Sequence, residues 1–226
     1  MKIRIKFSKY GTMKYIGHLD MMRFFQKAIR RAGIDVRYSE GFSPHQIMSF
    51  AAPLGVGMES RGEYMDIEVL SMDGTQEMKE ALAQVMVEGV EILSVSILPD
   101  NAKNAMASVA AASYLLQKKS GDYPTQDLAG KLQAFLAQET IPYTKETKKS
   151  VAELNLKDGI YELAAVGDNA IRMMVNASSS GNIKPGMVME AFCAFAGVDI
   201  PAKDYQIIKL ETYADLGHKF VPLDAV

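Results

Sequence analysis

Two histidines and three carboxylates near the start of the chain have the chemistry of an acid–base or metal site: His18, Asp20, His45, Glu59 and Glu63. Imidazole and carboxylate together can ligate a divalent cation or move protons near neutral pH. Their spacing matches no short ligand motif. A buried polar network that orders the surrounding loops is therefore the competing reading, and no metal is assigned. In that reading His18 and Asp20 cap a helix and anchor the loop that follows it. Arg23, Lys27 and Arg30 then recur at i, i+4 and i+7, with Arg31 beside the last. Like charges along one helical stripe repel. An anionic partner such as RNA relieves that repulsion, and a solvated face is the plain alternative. Between Ser39 and His45, Gly41 permits a turn with positive φ and Pro44 stiffens it. Phe42 is expected to plug into the core, which leaves His45 on a rigid segment close to His18.

The elements that must position these residues follow from periodicity. Ile3, Ile5 and Phe7 alternate with Lys2, Arg4 and Lys6, as in a half-buried strand. From His18 to Gly33 the period changes to that of a helix, with Leu19, Met22, Phe25, Ile29 and Ala32 on one stripe and Gly33 as the stop. A short strand is expected around 47–51, another over 63–70, a helix over 75–88 with Thr75 as its cap, and a strand over 90–98. That order, β-α-β-β-α-β, predicts a ferredoxin-like (split βαβ) unit over 1–100. Its first and third strands are neighbours, so Lys2, Arg4 and Lys6 are expected across from Asp66 and Glu68. The pairing would neutralise the open face of the sheet. Few outward aromatics besides Tyr64 remain there for base stacking of the RRM kind.

A linker is expected over 100–105, and a second, less regular unit of the same kind over 106–226. It comprises a helix over 125–138, strands 151–156 and 160–166 joined by an Asp158-Gly159 turn, a strand over 171–175, a helix from Pro185 to Gly197, and a last strand over 205–213. The fold class is thus α+β, two tandem ferredoxin-like units.

Composition narrows the function classes. The chain has 226 residues and a net charge of −2, which hides a block of ten Lys+Arg against three Asp+Glu in residues 1–50 and the reverse imbalance, two against ten, in 51–100. The basic block could be an anion or nucleic-acid footprint, or could pair with the acidic block after it. One cysteine, Cys193, excludes an internal disulfide framework, a paired-cysteine zinc site and a self-held iron–sulfur cluster; it reads as an inert buried thiol. No apolar run approaches the ~18 residues of a membrane span, so no membrane partner is expected. The alternating N-terminus is neither a secretory nor a transit signal, and the expected compartment is the cytoplasm.

The run Lys14-Tyr15-Ile16-Gly17-His18-Leu19-Asp20-Met21-Met22-Arg23, then Ala28-Ile29-Arg30-Arg31-Ala32-Gly33, Ser39-Glu40-Gly41-Phe42-Ser43-Pro44-His45, Ser49 through Gly57, Glu59-Ser60 and Glu63-Tyr64, resembles the uncharacterised bacterial radical-SAM-linked domain family. The second half resembles it more loosely, at Lys148-Lys149 with Leu154, at Lys184-Pro185 and at Lys209-Leu210-Glu211-Thr212-Tyr213. Gly17 stands where the family usually has Ser, and Gln46 where a second Pro is common. The resemblance implies association with radical SAM enzymes, which use S-adenosylmethionine and an iron–sulfur cluster and in some cases cobalamin. It implies no cofactor on this chain.

Three readings of function follow. The first is a non-catalytic partner that binds RNA (tRNA or rRNA) for modification by a radical SAM enzyme. Arg23, Lys27, Arg30 and Arg31 form its anion-binding face, and Gly41, Phe42 and Pro44 order the adjoining loop. The second is an enzyme acting through His18, Asp20, His45, Glu59 and Glu63. The third is a module that binds only protein.

Overall fold

The computed structural model describes residues 1–146, 151–217 and 219–226. The fold is α+β, and two compact units divide the chain: Met1–Ala110 with Lys209–Val226, and Ala111–Ile208. Lys148 and Lys149 lie outside the described residues. Among the described residues no helix is long and apolar enough to cross a membrane.

The first unit runs β1 (Lys2–Lys9), α1 (His18–Arg31), β2 (Met48–Phe50), β3 (Glu59–Glu68), α2 (Thr75–Gln84), β4 (Val90–Leu98) and the single-turn α3 (Ala105–Ser108). Its strands lie in the order β4-β1-β3, with β2 on the far edge of β3, and all these pairs are antiparallel. Ile3, Ile5 and Phe7 of β1 face inward with Met65 and Ile67 of β3, as the alternation requires. Met21, Phe25 and Ile29 of α1 and Met78 and Leu82 of α2 close over the same core. Phe7, Phe25 and Phe50 meet edge to face at 4.7–6.0 Å. Each such ring buried contributes roughly 1.5–3 kcal/mol.

Helix α2 differs from expectation at its start. Gly74, not Thr75, is the N-cap, and no side chain caps it. At Gly89, just before β4, φ is +93°, and a Cβ would fall 2.6 Å from the Tyr10 carbonyl oxygen and 2.9 Å from Met13 Cγ. Gly89→Ala is therefore expected to cost about 1–3 kcal/mol in denaturant unfolding, through left-handed backbone strain and the clash together.

The opposite face of this sheet carries the predicted charge ladder. Lys2 lies across from Glu68, Arg4 from Asp66 and Lys6 from Tyr64. Arg4 is buried, and its Nε and Nη2 donate to Asp66 at 2.9 and 3.0 Å.

The second unit runs β5 (Ala111–Lys118), α4 (Leu128–Leu136), β6 (Pro142–Glu146), β7 (Val151–Asn155), β8 (Ile160–Val166), β9 (Ala170–Asn176) and α5 (Pro185–Ala196), ending in the first residues of β10 (Tyr205–Asp215). Beta9 pairs antiparallel with both β5 and β8. Phe135 of α4 and Phe192 of α5 meet edge to face at 5.7 Å in its core. The expected hairpin about Asp158-Gly159 is not formed. Beta7 pairs with β6 in a separate two-stranded sheet, and 157–159 make a 3-10 turn that leads into β8. The dipeptide signals a turn but cannot specify which strands pair across it.

Tyr143 on β6 donates to Glu190 of α5 at 2.6 Å, and this bond, with a smaller contribution from burial, pushes its pKa up to about 12. The folded state thus keeps the phenol proton above the ordinary value of 10.0. The bond's contribution is complete below pH 10 and is lost as the pH rises through about 12. Tyr143→Phe is expected to flatten the fall in stability across that window, read by unfolding at several pH values.

The division of the chain corrects the expected boundaries of 1–100 and 106–226, because the last 18 residues, Lys209–Val226, belong to the first unit. Past Ile208, β10 runs beside β3, where Thr212 Oγ1 donates to the Gly62 carbonyl at 3.1 Å and Lys209 pairs with Glu63 at 2.7 Å. The chain then forms β11 (Phe220–Pro222), antiparallel to β10. Arg4 Nη1 donates to the Leu223 carbonyl at 2.9 Å, and Lys6 reaches both Glu211 (2.6 Å) and Asp224 (3.3 Å). Burial works against the Lys6 ammonium, but these two carboxylates hold its pKa above the ordinary value. The outward-facing side chains of β1 are thus the anchor of the C-terminal segment.

Candidate functional site

Helix α1 and the segments on either side of it carry most of the predicted site. Position 17 is the N-cap, and glycine there leaves the helix without a side-chain cap. His18 does not supply one either. Its ring stands edge-on to Phe50 at 5.3 Å and lines a cavity of about 20 Å³ with Phe7, Lys9, Leu54 and Glu63. That volume holds about one water molecule.

Of the five candidate acid–base residues, the structure brings only His18 and Glu63 to this cavity. Asp20 is on the surface, paired with Arg23 at 3.0 Å. Glu59 pairs with Lys14 at 3.1 Å. His45 is exposed in the 38–46 hairpin, where its Nδ1 lies 2.9 Å from Ser39 Oγ. Among the described residues, no group of three His, Cys, Asp or Glu comes together as a set able to hold a metal ion. The residues are close in sequence, but each has its own partner: Asp20 and His45 meet near neighbours, while Glu59 and Glu63 pair with Lys14 and Lys209 from distant parts of the chain.

Two lysines complete the polar surroundings of Glu63. Lys209 is its ion-pair partner, and both side chains are buried. Lys9 lines the cavity and donates to the Ile16 carbonyl at 2.6 Å. Burial lowers the Lys9 pKa, and the charge of Glu63 opposes that shift. Sequence reasoning passed over Lys9, although it continues the inward phase of Ile3, Ile5 and Phe7. The arrangement ties β1, the start of α1 and β3 together, the work of a structural network.

The hairpin after α1 departs from expectation at its tip. Its neck is closed by a Tyr38–Gln46 bridge, by Ser39 N–H donating to the His45 carbonyl at 2.8 Å and by His45 N–H donating to Ser39 Oγ at 3.1 Å. Gln46 is buried and donates to the Gln26 carbonyl of α1 at 3.1 Å, so the residue that departs from the family pattern fastens the hairpin to the helix. Gly41 takes φ +107°, the turn expected of it. Phe42 is not a core plug: it is fully exposed at 111%, and Pro44 is exposed as well.

The basic residues of α1 face solvent. Met21, Phe25, Ala28 and Ile29 are buried, which turns Arg23, Lys27 and Arg30 outward on the opposite side. Among the described residues, the stripe's one ion pair is Arg23–Asp20, both exposed, and such a pair is worth little. Arg30 Nε donates back to the Gln26 carbonyl at 3.3 Å, and Arg31 to the Val85 carbonyl at 3.1 Å. Elsewhere the basic block is largely neutralised, at Arg4–Asp66, Lys6–Glu211, Lys14–Glu59 and Arg37–Glu68. The acids after residue 50 therefore take up much of the early positive charge, and α1 displays what is left.

In the second unit Cys193 is half-buried, and burial raises its thiol pKa, as suits an unreactive side chain.

Fold and site together define an α+β protein with a cationic helix face, an aromatic-tipped hairpin and a water-sized, mostly apolar cavity that Lys9, His18 and Glu63 also line. Residues 2–185 match the family described as "Uncharacterized protein conserved in bacteria (DUF2344)", and the chain belongs to that family. No curated protein matches it. Among solved structures, a chain of "Crystal Structure of a Cbf5-Nop10-Gar1 Complex" is similar at 9% identity and a TM-score of 0.47, over 93% of this chain and 48% of that one. A chain of "X-ray crystal structure of a heavy metal efflux pump, crystal form II" is similar at 10% identity and a TM-score of 0.25, over 95% of this chain and 28% of that one. This chain thus spans less than half the length of either.

Proposed function

We propose that this chain is a non-catalytic recognition partner that binds RNA, of the tRNA or rRNA class, and presents it to a radical SAM enzyme in the cytoplasm. The carrying observation is the basic stripe Arg23, Lys27 and Arg30, exposed on α1 while most of the neighbouring positive charge is paired. A surface of this kind attracts a polyanion by releasing its counterions. The radical SAM partner rests on the resemblance of the 14–64 motifs, and any S-adenosylmethionine, iron–sulfur cluster or cobalamin belongs to that partner.

Two tandem ferredoxin-like units would form the scaffold. The strand orders β4-β1-β3-β2 and β10-β5-β9-β8 support this reading, since each follows the split-βαβ sequence of neighbours. In the second unit the β6–β7 hairpin is then an insertion. The enzyme reading is not favoured, because the five candidate groups do not converge.

The test is a gel-shift titration of the purified protein against total small RNA at two salt concentrations. Binding that weakens steeply with salt is expected. Absence of binding at low salt would reject the proposal.

A further inference from the structure

We infer that Phe42 is a base-stacking residue and that the RNA recognised by this chain is single-stranded or looped rather than duplex. The inference rests on the RNA-binding reading above and names the substrate class of that same surface.

An aromatic ring without apolar neighbours loses stabilisation in water, and a core plug was the natural expectation for this one. Yet Phe42 is fully exposed on a tip that the fold holds firmly. The Tyr38–Gln46 bridge, the Ser39–His45 hydrogen bonds and the left-handed turn at Gly41 fix the hairpin without help from the ring. Removing the side chain therefore leaves every bond that shapes the loop. A ring presented this way suits a flat apolar ligand face.

The second observation is where the hairpin stands. Gln46 fastens its neck to Gln26 of α1, one residue from Lys27 and three from Arg23. Phe42 is four residue steps from either side of the neck, so it lies no more than about 14 Å from the Tyr38–Gln46 bridge. One aromatic platform on a hairpin fastened to the helix that carries a row of exposed cations matches single-stranded nucleic acid, whose phosphates follow the charges while an unstacked base covers the ring. A duplex keeps its bases stacked on one another and offers Phe42 nothing.

The experiment compares the full chain with Phe42→Ala and Phe42→Trp by fluorescence anisotropy. The probes are a short single-stranded RNA of mixed sequence and the same strand annealed to its complement. Wild type is expected to prefer the single strand. Phe42→Ala should weaken that binding roughly 5- to 150-fold, the range for losing a base-stacking aromatic, while Phe42→Trp retains it. A 2-aminopurine placed in the strand should change its fluorescence with wild type but not with Phe42→Ala. Salt-sensitive binding that Phe42→Ala leaves unchanged, or equal affinity for the duplex, overturns the stacking inference and leaves the RNA reading standing. Binding to neither probe at low salt overturns both.

Discussion

Asp66→Ala is expected to destabilise the first unit by about 3–5 kcal/mol, the cost of leaving a buried charge without its partner. Arg4 is almost wholly enclosed, with a side-chain exposure of 1%. Its fork meets Asp66 through two parallel hydrogen bonds, at 2.9 and 3.0 Å. Two further donors go to the carbonyls of Leu223 and Lys103. Asp66 also accepts from the Ala105 backbone N–H at 2.6 Å. Losing the carboxylate strands a guanidinium and an amide together and loosens both segments that Arg4 holds. Denaturant unfolding monitored by circular dichroism reads the effect. The double replacement Arg4→Met with Asp66→Leu should recover much of the loss, since removing both charges also removes the desolvation cost. A loss below about 1 kcal/mol for Asp66→Ala would mean that Arg4 finds water or another acceptor.

Reversing two charges on α1, Arg23→Glu with Arg30→Glu, should reduce RNA affinity on the order of tenfold for each lost phosphate contact near 50 mM salt. The slope of log affinity against log salt should fall by about 1.4, from about 0.7 per contact on a single strand. Both side chains are exposed and sit opposite the buried face of the helix, so the fold is expected to survive. Arg23 gives up only a surface pair with Asp20, and Arg30 only a bond to a helix carbonyl. Unchanged affinity and slope in a folded double variant would remove the stripe from the interface. The control is Lys6→Gln, which alters an ion pair that joins β1 to the C-terminal segment rather than the helix surface.

Much of the first unit was legible in the sequence. Inward Ile3, Ile5 and Phe7, the helix from His18, and the pairing of Arg4 with Asp66 follow from periods of 2.0 and 3.6 and from opposite charges on neighbouring strands. The exposure of Arg23, Lys27 and Arg30 follows from the same helical period. The position of Phe42 departs from expectation because aromatic character predicts burial only on average, and the folded hairpin carries this ring at its exposed tip. Whether His18, Asp20, His45, Glu59 and Glu63 share a site was open in the sequence for a related reason. Nearness in sequence says nothing about which partner each side chain meets first, and Arg23, Ser39 and Lys14 were closer.

The sequence by itself determined the order of elements in the first unit, the inward face of β1 and the excess of positive charge before residue 50, because these depend only on residue type and repeat period; Leu19 leaves the expected inward stripe of α1 and is exposed. Tertiary structure alone decided that the last 18 residues return to the first unit, that Glu63 takes Lys209 as its partner, and that β7 pairs with β6 instead of β8. Those outcomes join residues as many as 219 positions apart, as in the bond from Arg4 to Leu223. Which distant strand or carbonyl satisfies a given donor depends on competition among all the surfaces of the folded chain, and no local pattern records the result.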